Sequence, residues 1–186
     1  NVYVELGDYE NAKKAYDGAI KLEPNYDEVW TNKGILFGKM NRHQEALDFH
    51  DRAIALRSNY AEAWSNKGNN LCALYRYEEA LIHYQKAIDL NPEYAECWYN
   101  KANVLTDLKI FHDAISHYEK AISLNPDLEW IYGHLIHCKM HICDWSSFEE
   151  IRNIIAGTDE RLLIVVGPCS AWPSEALVSV HHLLPV

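Results

Sequence analysis

Residues 61–92 read AEAWSNKGNNLCALYRYEEALIHYQKAIDLNP, and their frame recurs 34 residues earlier and 34 residues later. Trp30, Trp64 and Trp98 fall in step, followed by Asn32, Asn66 and Asn100, and by Lys33, Lys67 and Lys101. Gly34, Gly68 and Ala102 come next. The second half repeats as well, through Ala12, Ala46, Ala80 and Ala114, then Ala19, Ala53, Ala87 and Ala121, then Leu22, Leu56, Leu90 and Leu124. Pro24, Pro92 and Pro126 close three units, with Ser58 in the same place in another. A fixed beat of this length is the signature of a repeat array.

With the Trp of each unit numbered 4, the full units begin at Asp27, Ala61, Ala95 and Glu129. The chain opens inside a truncated first unit, so the array is expected to continue before Asn1. Within a unit, Trp64, Leu71 and Leu74 recur at helical spacing, and so do Ala80, Leu81, Tyr84, Ala87, Ile88 and Leu90. Offsets of three, four and seven place them on one face of each of two helices. The stretches 75–77 and 41–43 read as the links between paired helices. Asn91-Pro92 ends the second helix, because proline disfavours helical geometry in the residue before it. A single hairpin cannot bury its apolar face, so neighbours must stack. Gly34, Gly68 and Ala102 mark close approaches, and the rings at positions 17 and 24 are expected to fill gaps between hairpins. A large residue in place of Ala80 should overpack that contact by roughly 1–3 kcal/mol.

Composition narrows the function. The 186 residues carry 17 Lys plus Arg against 27 Asp plus Glu, a net charge of -10. That balance argues against a nucleic-acid surface and an anionic membrane, and no apolar run reaches the length of a spanning helix. The first residues lack the basic and apolar regions of a secretory leader. Five cysteines without disulfide-like spacing fit free thiols in a reducing, cytoplasmic setting.

Trp at 4, Gly at 8, Ala at 20, Tyr at 24, Ala at 27 and Pro at 32 resemble the tetratricopeptide repeat over residues 1–157. The resemblance implies an all-α, right-handed superhelical solenoid of helix hairpins. It also implies a concave groove lined by positions 2, 5, 6, 9, 12 and 13 of the first helices. Position 6 is Asn32, Asn66, Asn100 and His134; position 9 is Ile35, Asn69, Asn103 and His137. A ladder of side-chain amides offers a donor and an acceptor at each step, suited to the backbone of an extended peptide. The expected peptide-binding residues are therefore Asn32, Asn66, Asn69, Asn100, Asn103, His134 and His137. Position 2 is acidic in Glu28, Glu62 and Glu96, which disfavours an acidic peptide by like charge. Lys33, Lys67 and Lys101 at position 7 lie off that face and are expected to cover apolar surface with their stems.

His134, His137, Cys138, His141 and Cys143 form a dense cluster. Imidazole and thiolate suit transition metals. However, structural zinc sites draw pairs from separate elements, and the frame puts the three His in the groove and Cys138 toward the core. No metal and no cofactor is expected. Neither a phosphate-cradling glycine loop nor a nucleophile–base pair is present, so no catalytic activity is expected from the chain itself.

The fifth unit drifts: Ile136 and Phe148 replace the small residues at 8 and 20. Ser147 and Glu150 are spaced as a capping box for a helix over 148–156 that stops at Gly157. His137, Cys138, Cys143, Asp144 and Trp145 resemble the junction of O-linked N-acetylglucosaminyltransferases and their SPINDLY-like relatives. That resemblance implies the substrate-recruiting arm of a glycosyltransferase-like parent; the alternative is a free-standing scaffold or co-chaperone. Residues 158–186 obey no 34-residue frame and read as an irregular tail, truncated, frameshifted or fused, with a strand at 161–166 and a short helix at 174–184. A dozen residues, 159–170, resemble a strand of the DAHP synthases, in which the Cys of Gly-Pro-Cys binds metal. The barrel that would complete such a site is absent, and Cys169 is given no catalytic role.

Overall fold

A computed structural model describes residues 2–5, 7–128 and 130–142. The described residues form nine helices and no strand. They are α1 (Val2–Glu5), α2 (Tyr9–Leu22), α3 (Asp27–Lys39), α4 (His43–Leu56), α5 (Ala61–Ala73), α6 (Tyr77–Leu90), α7 (Ala95–Asp107), α8 (Phe111–Leu124) and α9 (Ile131–His141). Pairs α3–α4, α5–α6 and α7–α8 are hairpins, and each second helix packs on the first helix of the next pair. First helices also touch their counterparts one hairpin on: α3 meets α5, α5 meets α7, and α7 meets α9. The result is the all-α solenoid expected from the period.

Small residues set the spacing within each hairpin. A Cβ added at Gly34 would lie 2.5 Å from the His50 ring, and one at Gly68 would lie 2.7 Å from the Tyr84 ring. The ring at position 24 thus fills the space over position 8 of its own hairpin. The sequence predicts this ring in the gap between hairpins; here it also fills its own hairpin. Ala46, Ala80 and Ala114 are fully buried, as are Ala53, Ala87 and Ala121. These two alanines per second helix leave room for the neighbouring helix backbone.

The links are three residues long, as expected, but lie one residue earlier, at 40–42 and 74–76, because His43 and Tyr77 already belong to α4 and α6. Each link turns on one left-handed residue: Asn41 (φ 58°), Tyr75 (φ 59°) or Lys109 (φ 61°). Asn41 is a residue type that tolerates this region, whereas Tyr75 and Lys109 carry a penalty of about 1–2 kcal/mol. The turn is held by the amide of the next residue, as in Arg76 N–H to the Leu71 carbonyl at 2.9 Å.

The joints between hairpins show what the repeated Trp does. The Trp30, Trp64 and Trp98 indoles donate to the carbonyls of Pro24, Ser58 and Pro92 at 2.8, 2.9 and 2.9 Å. Arg57, Asn91 and Asn125 end their helices in the same extended geometry. Ser58 therefore supports the joint as well as proline does. The fifth unit departs from the frame at its start: α9 begins at Ile131, two residues later than Glu129, after Trp130 in the left-handed region (φ 63°). The capping box at Ser147 and Glu150, the helix over 148–156, the strand at 161–166, the helix at 174–184 and Cys169 lie outside the described residues, as does the boundary at 157.

Candidate functional site

Positions 2, 6, 9 and 13 of a first helix are spaced by four, three and four residues and share one face. On α7 this stripe is Glu96, Asn100, Asn103 and Asp107; on α5 it is Glu62, Asn66, Asn69 and Ala73. Asn32, Asn69 and His137 are exposed, and Asn66, Asn100, Asn103 and His134 are partly buried. None of the seven expected residues is packed inside the solenoid.

Two rungs of the ladder are joined from hairpin to hairpin. Asn100 Nδ2 donates to Asn69 Oδ1 at 3.1 Å; His134 Nδ1, which also lies 3.1 Å from the Tyr99 hydroxyl, meets Asn103 Oδ1 at 3.1 Å and donates to it in the tautomer that carries the proton on Nδ1. Each accepting oxygen takes a second bond from the tyrosine at position 24 of its own hairpin. Tyr84 donates to Asn69 at 2.7 Å, and Tyr118 donates to Asn103 at 2.6 Å. A carbonyl oxygen has two lone pairs, so both are engaged. The amide nitrogens of Asn69 and Asn103 keep their hydrogens. The expectation of a donor and an acceptor at every step therefore gives way to a face that offers donors at position 9.

Asn32 and Asn66 stand outside this linked set, and among the described residues no hydrogen bond holds their side-chain amides. For Asn66 the reason is local: position 9 of the preceding unit is Ile35, which has nothing to accept with. There the polar contacts move inward. Asn70, at position 10, is buried between hairpins and donates to His50 Nε2 at 3.2 Å and to the Asn66 carbonyl at 2.9 Å. Its Oδ1 accepts from His43 Nδ1 at 2.9 Å. Gly38 makes room for it, since a Cβ there would lie 2.8 Å from Asn70 Oδ1. Because His50 Nε2 accepts, its proton sits on Nδ1, which has no partner among the described residues. Burial pushes the His50 pKa down to about 4.

The α9 end of the face is built from rings. Tyr99 and His134 stack at 5.7 Å, and Phe111 and His141 stack at 4.4 Å, with His137 edge-on to His141 at 4.6 Å. Burial lowers the pKa of His134, and burial together with nearby His141 lowers that of His137. Among the described residues no three His, Cys, Asp or Glu side chains are placed to hold a metal. Cys138 is fully buried beside Thr106, with Sγ 3.2 Å from the hydroxyl. Cys143, Asp144 and Trp145 lie outside the described residues.

The lysines face away from the stripe and join successive hairpins. Lys33 pairs with Asp17 at 2.6 Å, Lys67 with Asp51 at 2.5 Å, and Lys101 donates to Gln85 at 2.5 Å. Lys33 Nζ also lies 4.5 Å from the Phe49 ring centroid, a cation–π contact made by the ammonium head rather than the stem. Each of these contacts reaches the residue 16 positions earlier, a pairing set by how one hairpin packs on the next.

Two models of one family cover more than half of the chain: tetratricopeptide repeat over 95–128, and TPR repeat over 1–41 and 68–109. The chain is a tetratricopeptide-repeat protein. This tetratricopeptide array resembles solved structures of the same fold. A crystal structure of MamA is 24% identical and has a TM-score of 0.71, with 80% of this chain and 86% of that chain aligned. MamA from Desulfovibrio magneticus RS-1 is 22% identical with a TM-score of 0.69, over 80% and 84%. YrrB, described as a TPR protein with an unusual peptide-binding site, is 21% identical with a TM-score of 0.67, over 91% and 81%. At these identities the likeness is one of fold. No curated protein sequence matches the chain. No helix among the described residues is long and apolar enough to cross a membrane.

Proposed function

We propose that the shared face of α3, α5, α7 and α9 is a trough that holds an extended polypeptide by its backbone. Tetratricopeptide repeats are protein-interaction modules, and the face assigned here carries the means of interaction. The observation that supports this reading most directly is the double engagement of Asn69 and Asn103 through Oδ1, which holds each amide while leaving its N–H groups available. An extended chain exposes one carbonyl acceptor per residue, the group such donors require. Preorganisation matters, because a side chain already fixed loses less entropy on binding.

Retention of a random dodecapeptide library on the immobilised chain tests this. Asn69→Ala with Asn103→Ala should reduce retention severalfold; because it also takes an acceptor from the buried Tyr84 and Tyr118 hydroxyls, circular dichroism at the binding temperature should show the variant still helical. Asn66→Ala with Asn100→Ala should reduce it less, because Asn100 acts by orienting Asn69. Undiminished retention in the first variant refutes the trough.

A finer reading rests on sequence alone. His137, Cys138, Cys143, Asp144 and Trp145 support the proposal that the array is the substrate-recruiting arm of an O-linked N-acetylglucosaminyltransferase-like parent. A reading frame downstream of Val186 with no nucleotide-sugar transferase domain would rule this out. The free thiols of Cys72, Cys97 and Cys138 fit work in the reducing cytosol.

A further inference from the structure

The proposed trough has a sorted charge distribution, and the sorting is structural. Every lysine of α5, α7 and α9 is drawn to the flank by a second helix: Lys67 by Asp51, Lys101 by Gln85 and Lys139 by Glu119. The stripe they leave behind, from α5 to α9, contains Glu62, Glu96 and Asp107 and no Lys or Arg. All three carboxylates are exposed, and none is in an ion pair among the described residues.

Asp107 is central to this surface. Its charge acts on Cys72 and Tyr77 of the α5–α6 hairpin, on Tyr118 of its own hairpin and on His134 of α9. It is exposed on α7 one helical turn past Asn103, whose Oδ1 meets His134 of α9. Glu96 lies at the other end of the same α7 stripe, with the Asn100–Asn103 amides between the two acids. Amide donors in the middle and carboxylates at both ends call for a ligand with carbonyl acceptors along its length and positive charge on its side chains.

We propose that the trough selects a lysine- or arginine-bearing extended polypeptide, with backbone carbonyls on the Asn69 and Asn103 amides and a basic side chain against Asp107 or Glu96. This rests on the trough reading above and adds the chemical class of the partner. Complementary charge governs which partner binds and how fast more than it governs raw affinity. Selectivity and salt dependence are accordingly its marks.

The test uses the whole chain and three fluorescein-labelled dodecapeptides, alternating Lys–Ser, Gln–Ser and Glu–Ser, read by fluorescence anisotropy at low and high salt. The Lys–Ser peptide should bind about tenfold tighter than Gln–Ser at low salt, with Glu–Ser weakest, and the gap should shrink in high salt. Glu96→Gln with Asp107→Asn should bring Lys–Ser down to the Gln–Ser level and leave Gln–Ser unchanged. Asp48→Asn with Glu78→Gln removes the same charge from exposed sites on α4 and α6 and should change nothing. If the three peptides bind alike, or if the control variant weakens Lys–Ser as much as the trough variant, charge selection is overturned. Should Asn69→Ala with Asn103→Ala still weaken all three peptides equally, the trough itself survives that result. No binding by any peptide, or binding indifferent to the asparagines, defeats both.

Discussion

The hairpin α3–α4 and the two that follow it solve the same problem differently. In α5–α6 and α7–α8 a tyrosine at position 24 lies in the core and sends its hydroxyl to an asparagine at position 9. In α3–α4 position 9 is Ile35, which accepts nothing, and position 24 is His50, which finds its partner across the joint in Asn70. Residues 35, 50 and 70 therefore change together. The comparison teaches that a buried polar atom must be paired somewhere, and that the choice of partner decides where the polar contacts lie. In the later hairpins they reach the face and shape the candidate site; in the earlier one they stay inside.

The largest effect should come from removing the ring. Tyr84→Ala empties a buried site over Gly68, at a cost of about 3–5 kcal/mol, read from urea unfolding. Tyr118→Ala over Ala102 should match it. A cost below about 1 kcal/mol would show that these rings do not fill the core as described.

Acid should next set the first hairpin apart. The folded-state pKa of His50 is pushed below its ordinary 6.5 to about 4, so the unfolded chain binds the extra proton first. Stability is then intact above pH 6.5 and falls as pH drops toward 4, by up to about 3 kcal/mol from this group. His83, His117, His134 and His137 are lowered as well, chiefly by burial, and add to the same slope. Hydrogen exchange at pH 4.5 should show the earliest loss of protection in α3 and α4, and His50→Gln should flatten the slope. Equal acid slopes in the variant and the wild type would contradict the neutral, buried His50.

A transplant sharpens the comparison directly. His50→Tyr alone puts a hydroxyl opposite Ile35, where it lacks an acceptor, and should cost about 1–3 kcal/mol. Adding Ile35→Asn should recover much of that, giving a coupling energy that a double-mutant cycle measures. Additive effects would mean that the two positions do not communicate.

The smallest effect belongs to the flank. Lys67→Met breaks the pair with Asp51, whose side chain is 56% exposed, and should cost under about 1 kcal/mol. A loss of several kcal/mol would make the lysine row a main tie between hairpins.

Most of the architecture was legible because each feature is local and repeats. Trp30, Trp64 and Trp98, the paired alanines and the glycines at 34 and 68 each report a contact made again one unit later. The candidate site was legible in its membership but not in its polarity. A sequence shows that Asn69 and Asn103 share a face; it does not show that Tyr84 and Tyr118 occupy their oxygens. The irregular start of α9 at Trp130 was hidden too, because Tyr132 still falls on the beat.

By itself the sequence determined the hairpin, its length and its stacking, since a period of 34 residues and two apolar faces leave a chain no other way to bury its core. Tertiary structure alone decided which amide atoms are engaged and which are offered, and where the lysines go. Those choices depend on pairings such as Asn100 with Asn69, 31 residues apart, and Lys67 with Asp51, 16 apart. Hydrogen bonds are directional and saturable, so only the folded arrangement assigns each donor its acceptor.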